Sequence, residues 1–378
     1  MALFMTQKAL FDYLEALPDP RQQAKCSHVL SEVIFMALCA MMCGFDTWSE
    51  IALFAQEREK WFKRWLTLAN GVPSHDTFNR IFAIMPASTL QSLFQEWVDH
   101  ILKKEGLSGQ LAVDGKALRA TAKGRGANRI HTVNVWSTEL GLCLGQQKVE
   151  KKSNEIKAIP ELLQLLALEG CLVSIDAAGT QTKIAEIILE KSADYLLAVK
   201  DNQPTLAAEV SAQFHAFWAN TPKDLAGPSF YEQFDNQHGR QEHRRCWQFP
   251  VGEQMPICQK WKAKTIIAVQ SERTEKGRGH DFVRFYISSQ PMNAEKALQA
   301  TRSHWSVENH LHWSLDVAFR EDKLQARIGF AGENLAVLRK WILNMLKQNK
   351  SRKLSMENKR RLCCLNDDYL FESLSLFI

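Results

Sequence analysis

Residues 111–120 read LAVDGKALRA. Three apolar residues lead into Asp114, and Gly115 and Lys116 follow before the chain resumes its alternation. A carboxylate in an apolar strand is costly to bury unless something compensates it. The reading of the whole chain turns on what Asp114 meets.

Around this stretch the hydrophobic period is two. LAVDGKAL, HTVNVWST and LCLGQQKVE are strand-like, separated by turns at GRGAN and Leu140-Gly141, and predict an antiparallel meander. EIKAIPELLQLLALEG then reads as a helix, with Pro160 at a first-turn position or a kink. CLVSIDAAG follows as a strand, QTKIAEIILEKSA as a helix and DYLLAVK as a strand. Three antiparallel strands followed by alternating helices and strands is the order of an RNase H-like fold.

That order makes the first and fourth strands neighbours. Asp114 interrupts the first and Asp176 ends LVSID, the fourth, so two acids 62 positions apart converge. Like charges at close range raise one pKa. A divalent cation between them resolves the repulsion, and oxygen donors without cysteine favour Mg²⁺ or Mn²⁺. A third acid is expected from a helix packed on the sheet, and Glu308 in TRSHWSVENHLHWSLDVAFRED is the leading candidate. Asp316, Glu321 and Asp322 compete for that position. His304, Glu308 and His312 recur every four residues, a spacing shared by transition-metal sites and by stripes of buried histidines. With no HExxH and no fourth ligand, zinc is the weaker reading. Asp114-Gly115-Lys116 lacks the P-loop glycines. Gly115 would let a nucleic-acid backbone approach closely, and Lys116 and Arg119 could neutralise phosphate.

Taken together, the 378 residues are those of a globular chain, 46% hydrophobic and 24% charged. The apolar run Val33 to Phe45 is shorter than the roughly 20 residues of a membrane span, so a core helix is expected, with no membrane partner and no secretory leader. Nine scattered cysteines form no CxxC pair, which favours a reduced, cytoplasmic protein over a disulfide or zinc framework. Net charge is only +5, but residues 302–361 hold 13 Lys/Arg against 6 Asp/Glu. A local positive field of this kind suits either a polyanion-binding face or a solvated basic tail.

The pattern divides the chain into five parts. Residues 1–105 read as an all-helical N-terminal domain. Within it Trp48–Ala69 is one helix, and Ser74 or Asp76 caps another through Met85. The pair is compatible with a DNA-binding helix-turn-helix, although ordinary packed helices explain it more simply. Residues 106–204 form the first part of the core, and 205–300 a β-rich insertion with its own small sheet. Residues 301–350 carry helices from about Arg302 to Phe319 and from about Gly332 to Lys350, and 351–378 form a basic C-terminal tail.

The strings AVDGKALR, GLCLGQQKVEKKSNEIKAIPELL, VSIDAAGTQ, YLLAVKDNQ, HGRQEHRR and RSHWSVENHLHWSLDVAFRED resemble the bacterial insertion-sequence DDE transposases that include the H-repeat-associated proteins of Rhs elements. LPDPRQQAKCSHVLSEVIFMALCAMMCG and GVPSHDTFNRIF are similar to that family's leading domain, so the resemblance covers nearly the whole chain. It implies an α/β, RNase H-like DDE transposase core with a β-rich insertion. It also implies that Asp114, Asp176 and Glu308 are the catalytic, metal-holding acids. Trp305 and Glu308 match the family's last catalytic helix, but His304 stands where an arginine is usual and Leu315 where a lysine is usual. Phosphate contacts are then expected from Arg302 or the basic C-terminal segment, with Lys116, Arg119, Lys200, Asn202 and Arg240 as further candidates.

The sequence therefore predicts a Mg²⁺-dependent transposase that cleaves and joins DNA at insertion-sequence ends. Its partners would be double-stranded DNA, both element ends and target, with a homodimer forming on DNA. Two other functions fit the same residues: an RNase H-like nuclease that cleaves without joining, and a catalytically decayed DNA-binding protein.

Overall fold

LVSI at 172–175 and YLLAV at 195–199 are nearly continuous apolar runs, as expected where both faces of a sheet are covered. In the computed structural model, which describes residues 10–121, 129–149, 155–220, 229–237, 240–275, 278–323 and 326–376, β1 (Gln110–Leu118) pairs antiparallel with β2 (Ile130–Ser137). β2 in turn pairs antiparallel with β3 (Leu142–Val149). The expected GRGAN turn and the EKKSN part of GLCLGQQKVEKKSNEIKAIPELL lie outside the described residues. β1 also pairs in parallel with β4 (Leu172–Ile175), from Gln110 opposite Leu172 to Val113 opposite Ile175, and β4 pairs in parallel with β5 (Asp194–Val199).

The expected β-rich stretch 205–300 holds four strands: β6 (Ser229–Gln237), β7 (Arg240–Pro250), β8 (Thr265–Glu275) and β9 (Arg278–Ser288). Their separate sheet, however, is not observed. β9 lies antiparallel to β5, with Leu196 opposite Ser288 and Val199 opposite Phe285. One nine-stranded sheet results, in the order β3-β2-β1-β4-β5-β9-β8-β7-β6. The strand pattern shows which residues are buried but not which neighbour satisfies an open edge. Burial of Leu196, Ile267 and Tyr286 together decides it.

Before β1 the described chain is helical: α1 (Leu30–Met42), α2 (Trp48–Glu57), α3 (Glu59–Phe62), α4 (His75–Ile84) and α5 (Ala87–Glu105). Thr47 and Glu50 form a capping box that starts α2, and Ser74 caps α4. The single helix expected over Trp48–Ala69 is broken at Arg58. Residues 63–74 separate α3 from α4, too long for the three- to four-residue turn of a helix-turn-helix. All 13 residues of α1 are buried, as in a helix surrounded by protein.

The C-terminal elements provide that surrounding. The helices α6 (Glu155–Gln164), α7 (Thr182–Glu190), α8 (Pro204–Asn220) and α9 (Pro256–Lys260) alternate with strands. α10 (Ala294–His304), a π-helical turn Val307–His312 and α11 (Trp313–Val317) follow, and then α12 (Ala331–Gln348). α12 packs against α4 and α5, and Asn334 Nδ2 donates to the carbonyls of Phe82 and Met85. Residues 30–105 thus share one core with the C-terminal helices.

The expected basic tail is also replaced by structure. α13 (Met356–Leu365) and α14 (Asp367–Ser375) fold back on the helices. Lys359 donates to the carbonyls of Leu346 and Asn349 at the end of α12, and Arg360 reaches Met41 O and Asp46 Oδ1. Charge density alone cannot distinguish a solvated lysine from one that caps a buried helix end. No helix among the described residues is long and apolar enough to cross a membrane.

Candidate active site

Side chains alternate along a strand, so Gln110, Asp114 and Lys116 leave β1 on one face. The parallel register with β4 ends at Val113 opposite Ile175, which carries Asp114 and Asp176 to the next step of both chains. Asp176 caps a tight turn, Ala177–Gly179, accepting from Gly179 N at 3.3 Å. Asn202 donates to Ala177 O at 2.6 Å, and Thr180 to Ala198 O at 2.7 Å. A Cβ at Gly179 would meet Ile175 Cγ2 at 2.4 Å, so the turn requires glycine.

The helix expected over Arg302–Phe319 is in fact interrupted. α10 begins at Ala294 and ends at His304, and Glu308 lies in the π turn Val307–His312. Such turns re-phase a helix locally and recur at functional sites. Here the four-residue stripe is divided. His304 packs against Ser174, with Nδ1 3.0 Å from its Oγ. His312 Nδ1 lies 3.5 Å from Asp114 Oδ2, and Glu308 is exposed. The two histidines and Glu308 make no common metal site.

Asp114, Asp176 and Glu308 line one cavity of about 140 Å³, with His304, Lys200 and Arg284. Asp114 accepts from Gly115 N at 2.8 Å. Its pKa rises to about 7, chiefly through burial, with the carboxylates of Asp176, Glu308 and Glu155 adding repulsion. Burial also raises the Glu308 carboxyl, Arg284 opposes the shift, and Asp176 reinforces it. His312 supplies no countercharge. Burial first, then Lys116 and Lys340, push it down to about 3, so the ring is neutral. The imidazole beside Asp114 is thus uncharged while the fields of three carboxylates act on that aspartate.

That excess of oxygen donors fits a hard divalent cation. Among the described residues, however, no three His, Cys, Asp or Glu side chains are drawn together tightly enough to hold an ion. The three carboxylates share a cavity without closing on one point.

The rival acids are occupied elsewhere. Asp316 pairs with Lys116 at 2.5 Å, and Glu321 lies 3.7 Å from Lys116 and 3.8 Å from Arg339. Asp322 lies 3.6 Å from Arg119. Lys116, expected to face phosphate, is therefore buried among carboxylates, while Arg119 is exposed. Gly115 does not offer open space, because a Cβ there would meet Glu155 Oε1 at 2.7 Å. Lys200 is exposed at the cavity, whereas Asn202 serves the Asp176 turn. Arg302 bonds Gln233 and Asp235 at 2.6 and 3.1 Å, away from the acids. The Arg240 side chain lies outside the described residues.

Sequence reasoning missed Arg284. Its guanidinium lies 4.5 Å from the Phe282 ring centroid and 4.8 Å from that of Trp305, a stacking geometry that suits arginine. The alternation of β9 could have placed it on a face, but nothing local placed that face beside Glu308.

The family description "DDE_Tnp_1-associated" matches residues 11–98, and "Transposase DDE domain" matches residues 105–345. The chain is 38% identical to "Putative transposase YncI" of Escherichia coli O157:H7, covering 98% of this chain and 95% of that protein. It is 33% identical to "H repeat-associated putative transposase YhhI" of Escherichia coli strain K12, covering 97% of each. Among solved structures, a piggyBac transposase synaptic complex with hairpin DNA matches at a TM-score of 0.48 and 11% identity, covering 98% of this chain and 80% of that chain.

Proposed function

The chain belongs to the DDE transposase family, H-repeat-associated type, and from that premise we propose that Asp114, Asp176 and Glu308 are its catalytic acids on an RNase H-like core. The reaction is phosphodiester cleavage and strand transfer at the ends of an insertion sequence. One observation carries the reading: acids from β1, the end of β4 and the π turn line a single cavity, with Asp114 pushed up to about 7. Crowded carboxylates in a shared pocket are the usual preparation for a cation.

The three acids would hold Mg²⁺, or Mn²⁺ in its place. When bound, the metal supplies Lewis acidity and a stronger oxygen nucleophile for in-line displacement at phosphorus. Everything else falls to the chain. The Asp176 turn, braced by Asn202 and Thr180, presents one carboxylate rigidly. The π turn brings Glu308 to the cavity while leaving it exposed to substrate. Lys200 and Arg284, at the cavity, would bind the phosphate backbone of double-stranded DNA, with Arg284 held between the rings of Phe282 and Trp305 by cation–π contact. Neutral His312 shields Asp114 without neutralising it.

The deciding experiment incubates the protein with DNA from the chain's own locus and Mg²⁺, mapping every 3′ end. Joined 3′ ends support strand transfer. Free 3′ ends alone assign a nuclease, and metal-independent binding without nicking assigns a DNA-binding protein.

A further inference from the structure

Behind the acids lies a polar cluster with one member a few residues before each acid. Gln110 stands four residues before Asp114 on β1, Ser174 two before Asp176 on β4, and His304 four before Glu308 at the end of α10. Gln110 Nε2 donates to Ser174 Oγ at 2.8 Å and to Ala300 O, in the same helix as His304, at 2.9 Å. Ser174 Oγ donates to Leu111 O at 3.1 Å, and His304 Nδ1 lies 3.0 Å from that hydroxyl. Gln110 is 8% exposed and Ser174 1%, so water cannot substitute for these partners.

Counting protons decides the direction of each bond. A serine hydroxyl has one proton and two lone pairs. The proton goes to the Leu111 carbonyl, which has none to give. The lone pairs then accept from the Gln110 amide and from His304 Nδ1–H. The Gln110 amide is oriented by Ala300 O, which also requires a donor. Burial lowers the His304 pKa, against the raising effect of Asp176; with Nδ1–H directed at Ser174, Nε2 is the acceptor of the neutral ring. The histidine lines the same cavity as the acids.

We propose that Gln110, Ser174 and His304 are positioning residues that set the spacing of the three acids, with Ser174 holding His304 as its Nδ1–H tautomer. The inference rests on the proposed catalytic reading of those acids. A buried hydrogen-bond network stiffens the elements it joins. Because this one joins β1, β4 and α10 close behind Asp114, Asp176 and Glu308, moving any member shifts one acid relative to the other two. Groups that orient metal-holding side chains in this indirect way typically carry about 10- to 100-fold of metal affinity or activity.

The test uses the full chain and three variants, Ser174→Ala, His304→Leu and His304→Asn. The last keeps an N–H donor at the δ position. Ring ¹⁵N spectra of the wild type should show the proton on Nδ1, and Ser174→Ala should move it towards Nε2. Mn²⁺ binding, followed by electron paramagnetic resonance, should weaken about tenfold or more in Ser174→Ala and His304→Leu. It should return towards the wild-type value in His304→Asn, with metal-free DNA affinity unchanged throughout. A wild-type Nε2–H tautomer, or Mn²⁺ affinity unchanged in His304→Leu, overturns the proposal. Should Ser174→Ala fail to fold, the two His304 variants still decide it. Wild-type protein that binds Mn²⁺ but never nicks DNA defeats the catalytic reading, while the spectra and binding curves continue to judge the network.

Discussion

Lys116 Nζ lies 2.5 Å from Asp316 Oδ1, joining the strand that carries Asp114 to the helix that follows Glu308, 200 positions later in the chain. The same ammonium lies 3.7 Å from Glu321, whose side chain is 1% exposed. A lysine two residues beyond a candidate catalytic acid is thus committed to holding the site's far wall.

Lys116→Met should therefore act on stability. Removing one partner of a buried charge group costs about 3–5 kcal/mol, and Glu321 would be left with Arg339 at 3.8 Å and the more distant field of Lys340. Urea unfolding should show a loss of that order, with DNA affinity at fixed salt unchanged in the folded fraction. A stable variant with weakened DNA binding would return Lys116 to the phosphate-binding role.

Asp114 gives the metal-free protein a distinctive pH dependence. Its folded pKa, about 7, lies above the ordinary carboxylate value of 3.8, so the native state holds a proton that the unfolded state has released across that window. The stability contributed by this protonation is full below about 4 and is lost as pH rises through 7. Asp114→Asn mimics the protonated form. In EDTA, its melting temperature should pull away from that of the wild type between pH 4 and 7 and hold a constant lead above about 8. Equal curves at every pH would contradict the crowding described above.

Lys200 and Arg284 should behave as backbone-binding cations. Replacing either with Gln should weaken DNA binding similarly for all sequences and reduce the log–log salt slope by about 0.9 for each phosphate that is no longer neutralised. Lys340→Gln is a useful contrast, because that ammonium is buried 2.6 Å from Gln146 Oε1 and should affect folding only. Salt titrations of the three variants separate the two groups.

The C-terminal helices should be indispensable. Arg360 is 3% exposed and joins α13 to Met41 O, Asp46 and Ala318 O. Arg360→Met leaves Asp46 buried without its cation, and a loss of about 3–5 kcal/mol is expected. Truncation after residue 350 should expose the apolar surface of α1 and α12, readable as dye binding and aggregation. A soluble truncation with native melting would show that the segment is only an appendage.

Sequence alone determined the local order of this protein. The two-residue period of LAVDGKAL placed Asp114 and Lys116 on one strand face, and the helix–strand alternation after residue 155 made β1 and β4 neighbours, bringing Asp114 and Asp176 together. A helix cap at Ser74 or Asp76 and the β-rich character of 205–300 were also legible, because turn chemistry and side-chain alternation act over a few residues.

Tertiary structure decided what each exposed edge, charge and helix end met. It placed β9 against β5, and so Arg284 beside Glu308, and it turned Lys116 inward to Asp316. It also divided the histidine stripe with a π turn and folded Lys359 and Arg360 into the core. Periodicity specifies a face but not the partner that covers it. A lysine reads the same whether it meets water, phosphate or a carboxylate 200 residues away, and only the packing that excludes water from Lys116 selects among them.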